Sequence, residues 1–116
     1  MTSSIINAMT HLLMYTRSSG CPDQAATRRY LQEFGLKPIE VNISTQADAA
    51  QALVDLVGCL AVPTLVAVNA QHEPIDLPRP IEPGRSVRNV DRGSVISEPT
   101  REGLRQFLIR HGLLSG

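Results

Sequence analysis

The two cysteines, Cys21 and Cys59, are the side chains of this sequence best suited to covalent chemistry. Cys21 lies within "YTRSSGCPDQAATRRYL" (residues 15–31), where an aliphatic run gives way to small polar residues and Pro22 opens a helical pattern. A sulfur at a helix start sits among backbone N–H groups that lack intrahelical partners and at the positive end of the dipole, and both stabilise a thiolate. Arg17 upstream adds positive charge and Asp23 works against it. Lowering a thiol from about 8.5 to about 6.5 raises its ionised fraction at pH 7 from roughly 3% to roughly 75%. Intrinsic nucleophilicity falls about tenfold over the same interval, so attack gains only a few-fold. The larger benefit is easy departure from a mixed disulfide, which suits a sulfur that takes on an adduct and hands it over. A dithiol site would place a second cysteine three residues after the first, and that position is Gln24. No disulfide can close within that turn; a cycle needing one protein sulfur remains open. The alternative is that Cys21 is a small helix-start residue without turnover.

Cys59 follows Gly58 and precedes Pro63 by four positions. Free cysteine is among the most often buried residue types, so Cys59 is predicted to be a core residue. A resolving role would need its Cα within about 7 Å of that of Cys21. His11, His72 and His111 show no metal-ligand spacing with one another or with the cysteines, and no metal site is expected. No Gly-rich phosphate loop and no Ser/His/Asp arrangement is present.

These residues need elements to position them. A chain of 116 residues is one domain on ordinary expectation, 1–116, and long enough to bury a core without disulfides or metal. Tyr15, Tyr30, Phe34 and Phe107 are its aromatic residues, so the core must come from Leu, Val, Ile and Ala. A net charge of +0 argues against nucleic acid or a membrane surface as a partner held by bulk electrostatics. No apolar run approaches the roughly 20 residues that span a bilayer. Residues 1–10, "MTSSIINAMT", read as an N-terminal extension without the pattern of a secretory signal. Two cysteines are no disulfide framework, which predicts a reducing, cytoplasmic compartment.

Along the chain, "HLLMYTR" (11–17) reads as a buried strand, and a helix follows from about Pro22 to Phe34, stopped by Gly35. Its apolar face holds Ala26, Tyr30, Leu31 and Phe34. "KPIEVNIS" (37–44) alternates Ile39, Val41 and Ile43 inward. Ser44 or Thr45 is placed to cap a helix over 46–57, with Ala49, Ala52, Leu53 and Leu56 on its stripe and Gly58 at its end. "PTLVAVN" (63–69) is a strand, "GSVIS" (93–97) a short one, and 98–114 a closing helix with Leu104, Phe107, Leu108 and Leu114 inward. Between them, residues 70–92 carry four prolines and no period, a length uncommon for a loop without a use. Arg79, Arg85, Arg88 and Arg92 fall there, against Glu82 and Asp91. The open readings are a solvated insertion, a hairpin extension, an anion-contacting flap or a dimer contact.

The order β-α-β-α-β-β-α, with Tyr15-Thr16-Arg17 before Cys21-Pro22 and with Val62-Pro63-Thr64 opening a strand 42 positions after Cys21, resembles a glutaredoxin-like member of the thioredoxin-fold superfamily. Residues 12–69 and 93–114 carry the likeness. It implies an α/β fold: a four-stranded mixed sheet flanked by helices, with 70–92 inserted between the last two strands. It implies a cis bond at Pro63 and a glutathione-dependent monothiol thiol–disulfide oxidoreductase acting through a glutathionylated Cys21. Glutathione contacts would come from Arg17, Gln24, Val62, Pro63, Ser97 and Thr100, with Val62 pairing through its main chain. Glutathione would be co-substrate rather than a tightly bound cofactor, and protein disulfides or glutathionylated proteins the partners. Two other readings stay open: a non-catalytic binding module using the groove beside Pro63, and an iron–sulfur carrier. Carriers of that kind typically have Gly-Phe-Ser after the cysteine, where this chain has Pro22-Asp23-Gln24.

Overall fold

The computed structural model describes residues 10–116; the expected extension lies, but for Thr10, outside the described residues. The elements run β1 (His11–Thr16), α1 (Pro22–Glu33), β2 (Ile39–Asn42), α2 (Ala49–Val57), β3 (Thr64–Val68), β4 (Val95–Ser97) and α3 (Arg101–Arg110). The strands form one mixed sheet in the order β2-β1-β3-β4. β1 pairs parallel with β2 and antiparallel with β3, and β3 pairs antiparallel with β4. Among the described residues three helices flank the sheet, a thioredoxin/glutaredoxin-like α/β arrangement.

The two-residue period of a strand divides the core. Leu12 and Met14 of β1, Leu65 and Ala67 of β3 and Ile96 of β4 pack with Leu31 of α1 and Leu104, Phe107 and Leu108 of α3. The alternate residues Leu13, Val66, Val68 and Val95 turn to the other face, against Leu53 and Val57 of α2. With helices over both faces, every residue of β3 is buried, which is why it reads as an unbroken apolar run.

Helix ends depart from the expected ones for local reasons. α2 starts at Ala49, not 46, because Ser44 and its neighbours are spent in a turn: Asn42 Oδ1 accepts from the Ser44 N–H at 2.8 Å, and the Ser44 hydroxyl accepts from the Ser18 N–H at 3.1 Å. Asp48 takes the N-cap position with φ 65. Gly58 ends the helix in a left-handed conformation, φ 92, as its sequence position suggests. Ala52, expected inward, is exposed, and Val57 fills the stripe instead. In α3, Thr100 is the N-cap, its hydroxyl accepting from the Gly103 N–H at 3.0 Å, so the helix begins after Pro99 rather than at 98.

The β3–β4 connection is neither solvated throughout nor without structure. It pairs with the sheet at isolated bridges, Val68 with Pro74, Arg88 with Ser97 and Asp91 with Ile96. Its arginines act as tethers. Arg92 is buried, donating from Nε to the Arg79 carbonyl at 2.8 Å and from Nη1 to the Val57 carbonyl at 3.0 Å. Val57 closes α2, so the cation meets the negative end of that helix. Arg79 donates to the Asp91 carbonyl at 2.8 Å, while Arg85 pairs locally with Glu82. We expect Arg92→Ala to lower unfolding free energy by about 1–3 kcal/mol, since it leaves the buried Val57 carbonyl without its charged donor and removes the part-buried bond to the Arg79 carbonyl. Arg92→Lys should recover only part, because an ammonium cannot fork between them. Urea denaturation measures both.

Candidate active site

Cys21 is the N-cap residue of α1, extended at φ −143 and ψ 117, with Pro22 in the first helical turn. Its carbonyl accepts the Ala25 N–H at 3.0 Å, the bond that begins the helix. The side chain is half-buried, and the sulfur lies 3.8 Å from the carbonyl oxygen of Val62. Val62 and Pro63 are buried and joined by a cis peptide bond immediately before β3. One side of the sulfur is thus set by the α1 start and the other by the main chain entering β3.

Both walls are fastened from behind. The Pro63 carbonyl accepts the Glu98 N–H at 2.7 Å. The Thr64 hydroxyl lies 2.7 Å from the Ala61 carbonyl, to which it donates, and 2.6 Å from the buried Ser97 hydroxyl. Gln24, only 4% exposed, turns its amide onto the peptide at the end of β1: Oε1 accepts from Arg17 N–H at 2.9 Å and Nε2 donates to the Arg17 carbonyl at 3.1 Å. At the position where a second cysteine would make a dithiol site, an amide holds Arg17, where the loop that delivers Cys21 begins. Arg17 itself is exposed. Thr100 lies farther along, its hydroxyl capping α3 and its N–H donating to Asn89 Oδ1 at 2.9 Å.

Residues outside the sequence-derived site set complete the surroundings. Arg88, from the β3–β4 connection, forks both oxygens of Asp23, at 2.7 and 2.8 Å, and also donates to Glu98 at 2.8 Å. These hydrogen bonds hold the Asp23 carboxyl below its ordinary range and push Arg88 upward from its own. Asn89 donates its N–H to the Ser97 carbonyl at 2.8 Å, laying this segment along β4. A Cβ at Gly103 would collide with the Asn89 side chain, so the glycine in the first turn of α3 makes room for it. That glycine was the one local signal; nothing in the composition of the connection distinguishes Arg88 from its neighbouring arginines.

Cys59 is exposed, contrary to the expectation that it is core. The left-handed turn at Gly58 takes the chain off the end of α2 and carries Cys59 and Leu60 outward before the chain dips in again at Val62. Among the described residues no cluster of three or more His, Cys, Asp or Glu side chains is arranged to hold a metal ion, and no helix is long and apolar enough to cross a membrane.

The helix-start cysteine thus faces the main chain that enters β3, within a mixed sheet of order β2-β1-β3-β4. The model of the Glutaredoxin family matches residues 12–73, more than half of the chain, and the chain belongs to that family. No curated protein and no solved structure matches it. Membership supports a thiol–disulfide oxidoreductase-like function in general, the kind of work in which glutathione serves as substrate.

Two outcomes follow from this geometry. Gln24→Ala should cost about 1–3 kcal/mol, read by urea denaturation, because it strips partners from both polar groups of the Arg17 peptide. The Asp23 carboxyl is depressed in the folded chain, so its contribution to stability is complete above the unfolded value of about 3.9 and fades as pH falls through the lower folded value. Asp23→Asn should therefore flatten the dependence of stability on pH below about 4, measured by denaturation at successive pH values.

Proposed function

We propose that this chain is a glutathione-dependent monothiol thiol–disulfide oxidoreductase working through a glutathionylated Cys21. The observation that carries the reading is the meeting of a half-exposed sulfur at the α1 start with the Val62 main chain, at 3.8 Å, while Gln24 occupies the place of a resolving thiol. The family supplies thiol exchange, and the single sulfur of this turn selects the one-cysteine cycle.

In the first half of that cycle the Cys21 thiolate attacks the glutathione sulfur of a mixed disulfide on a substrate protein. The sulfur–sulfur bond to the substrate breaks, a Cys21–glutathione disulfide forms, and the substrate leaves as a thiolate that takes up a proton. In the second half a glutathione thiolate attacks the glutathione sulfur of that adduct. It releases Cys21 as the thiolate and departs as oxidised glutathione. Over the cycle one free glutathione is consumed: the substrate's mixed disulfide is exchanged for oxidised glutathione, the substrate is left as a free thiol, and the protein ends as it began. The helix start favours the departure of Cys21 as a thiolate in the second half.

The glutathione backbone would pair with the main chain of Val62 as an added strand. Arg17, exposed on the loop before Cys21, suits a ligand carboxylate. Gln24 acts by holding the Arg17 peptide. Ser97 and Thr100 shape the far wall, since their hydroxyls are engaged with Thr64 and with the first turn of α3. The working compartment is a reducing, cytoplasmic one, where glutathione is at hand.

Intact mass spectrometry after exposure to oxidised glutathione tests the reading. One glutathione adduct should form at neutral pH, persist in Cys59→Ser, vanish in Cys21→Ser and be removed by reduced glutathione. A parent chain whose Cys21 stays unmodified removes the proposal and leaves a binding module built around the Pro63 groove.

A further inference from the structure

The start of α1 carries an electrostatic conflict that the β3–β4 connection resolves. A helix N-terminus amounts to roughly half a positive charge. Asp23, two residues after Cys21, places a full negative charge in the same turn, and Glu98 brings another from the turn after β4, where its N–H also holds the Pro63 carbonyl. Both carboxylates oppose in sign the positive field of the helix start. Arg88 meets both: its guanidinium spans the Asp23 carboxylate with two bonds and reaches Glu98 with a third. The group of three then carries one net negative charge instead of two. From the β1–α1 loop the charged neighbour is Arg17, exposed and outside this cluster.

We propose that Arg88 is a positioning residue for the Cys21 reaction, offsetting the Asp23 and Glu98 carboxylates beside the start of the helix that Cys21 caps. Arg88 does not touch the sulfur in this arrangement; it acts through the carboxylates it binds. The inference deepens the reading of Cys21 as the reacting sulfur and rests on it. It also gives the β3–β4 connection a purpose beyond covering the sheet, since the arginine arrives from 65 positions away along the chain.

The charge balance orders the variants. Arg88→Gln leaves two net negative charges beside the helix start, Asp23→Asn leaves none, and the two together restore one. In a Cys59→Ser background, the rate of Cys21 alkylation by iodoacetamide, a neutral reagent, is followed from pH 5 to 9. Arg88→Gln should move the midpoint of the profile upward by about half a pH unit, which slows alkylation about threefold on the acid side. Asp23→Asn should move it downward, and Arg88→Gln with Asp23→Asn should return it to within about 0.2 of the parent. A purely structural role for Arg88 gives a different pattern, because the double variant still lacks the tether and its profile would stay with Arg88→Gln. That result, or an unmoved midpoint in Arg88→Gln, overturns the proposal. Alkylation reports the thiolate whether or not glutathione is the substrate, so a missing glutathione adduct counts against the proposed function alone.

Discussion

The antiparallel register of β1 and β3 is the constraint on which the site depends. Tyr15 lies opposite Thr64, so the strand leaving the sheet toward Cys21 and the strand entering it from Pro63 meet at one end. Shift that pairing by one residue and each strand turns its apolar set to the wrong face. The buried cores on both sides of the sheet therefore enforce the juxtaposition of sulfur and main chain. Smaller restraints refine it: the Gln24 amide on the loop before Cys21, and the Thr64–Ser97 pair behind Pro63.

The connection from β3 to β4 shows how a segment poor in apolar periodicity can still be ordered. Its arginines find acceptors at different depths, and the depths determine their weight. Arg85 with Glu82 is an exposed local pair of the kind that contributes little. Arg92 is buried on the last carbonyl of α2, and losing it would strand that buried acceptor. Arg88 is exposed and adds little to folding by such reasoning, yet its partner Asp23 lies in the first turn of the helix that Cys21 caps.

What the sequence made legible was whatever depends on near neighbours. The aliphatic runs of β1 and β3, the Pro22 helix start, the Gly58 stop and the element order all follow from local pattern, and the family membership agrees with them. The start of α2 was misplaced because Ser44 had two possible uses, a helix cap or a turn, and the turn is decided by Ser18 from another element. Cys59 was misplaced because average burial of a residue type does not record that Gly58 turns the chain outward at that point. The Asp23–Arg88 and Glu33–Arg101 pairs join residues 65 and 68 positions apart. Such pairs arise from tertiary packing, and no window on the sequence contains both partners.

One further consequence concerns the rim of the sheet. The carbonyls of Val95 and Ser97 on the outer side of β4 already receive the N–H groups of Arg92 and Asn89. A second molecule therefore finds no free ladder there to extend. The opposite border is β2, four residues long, preceded by Pro38 and bearing the charged Glu40 paired to Arg28. Brevity, proline and charge are the means by which natural sheets discourage edge-to-edge aggregation. A protein whose reactive thiol invites contact with other chains is thus guarded against joining them through its backbone.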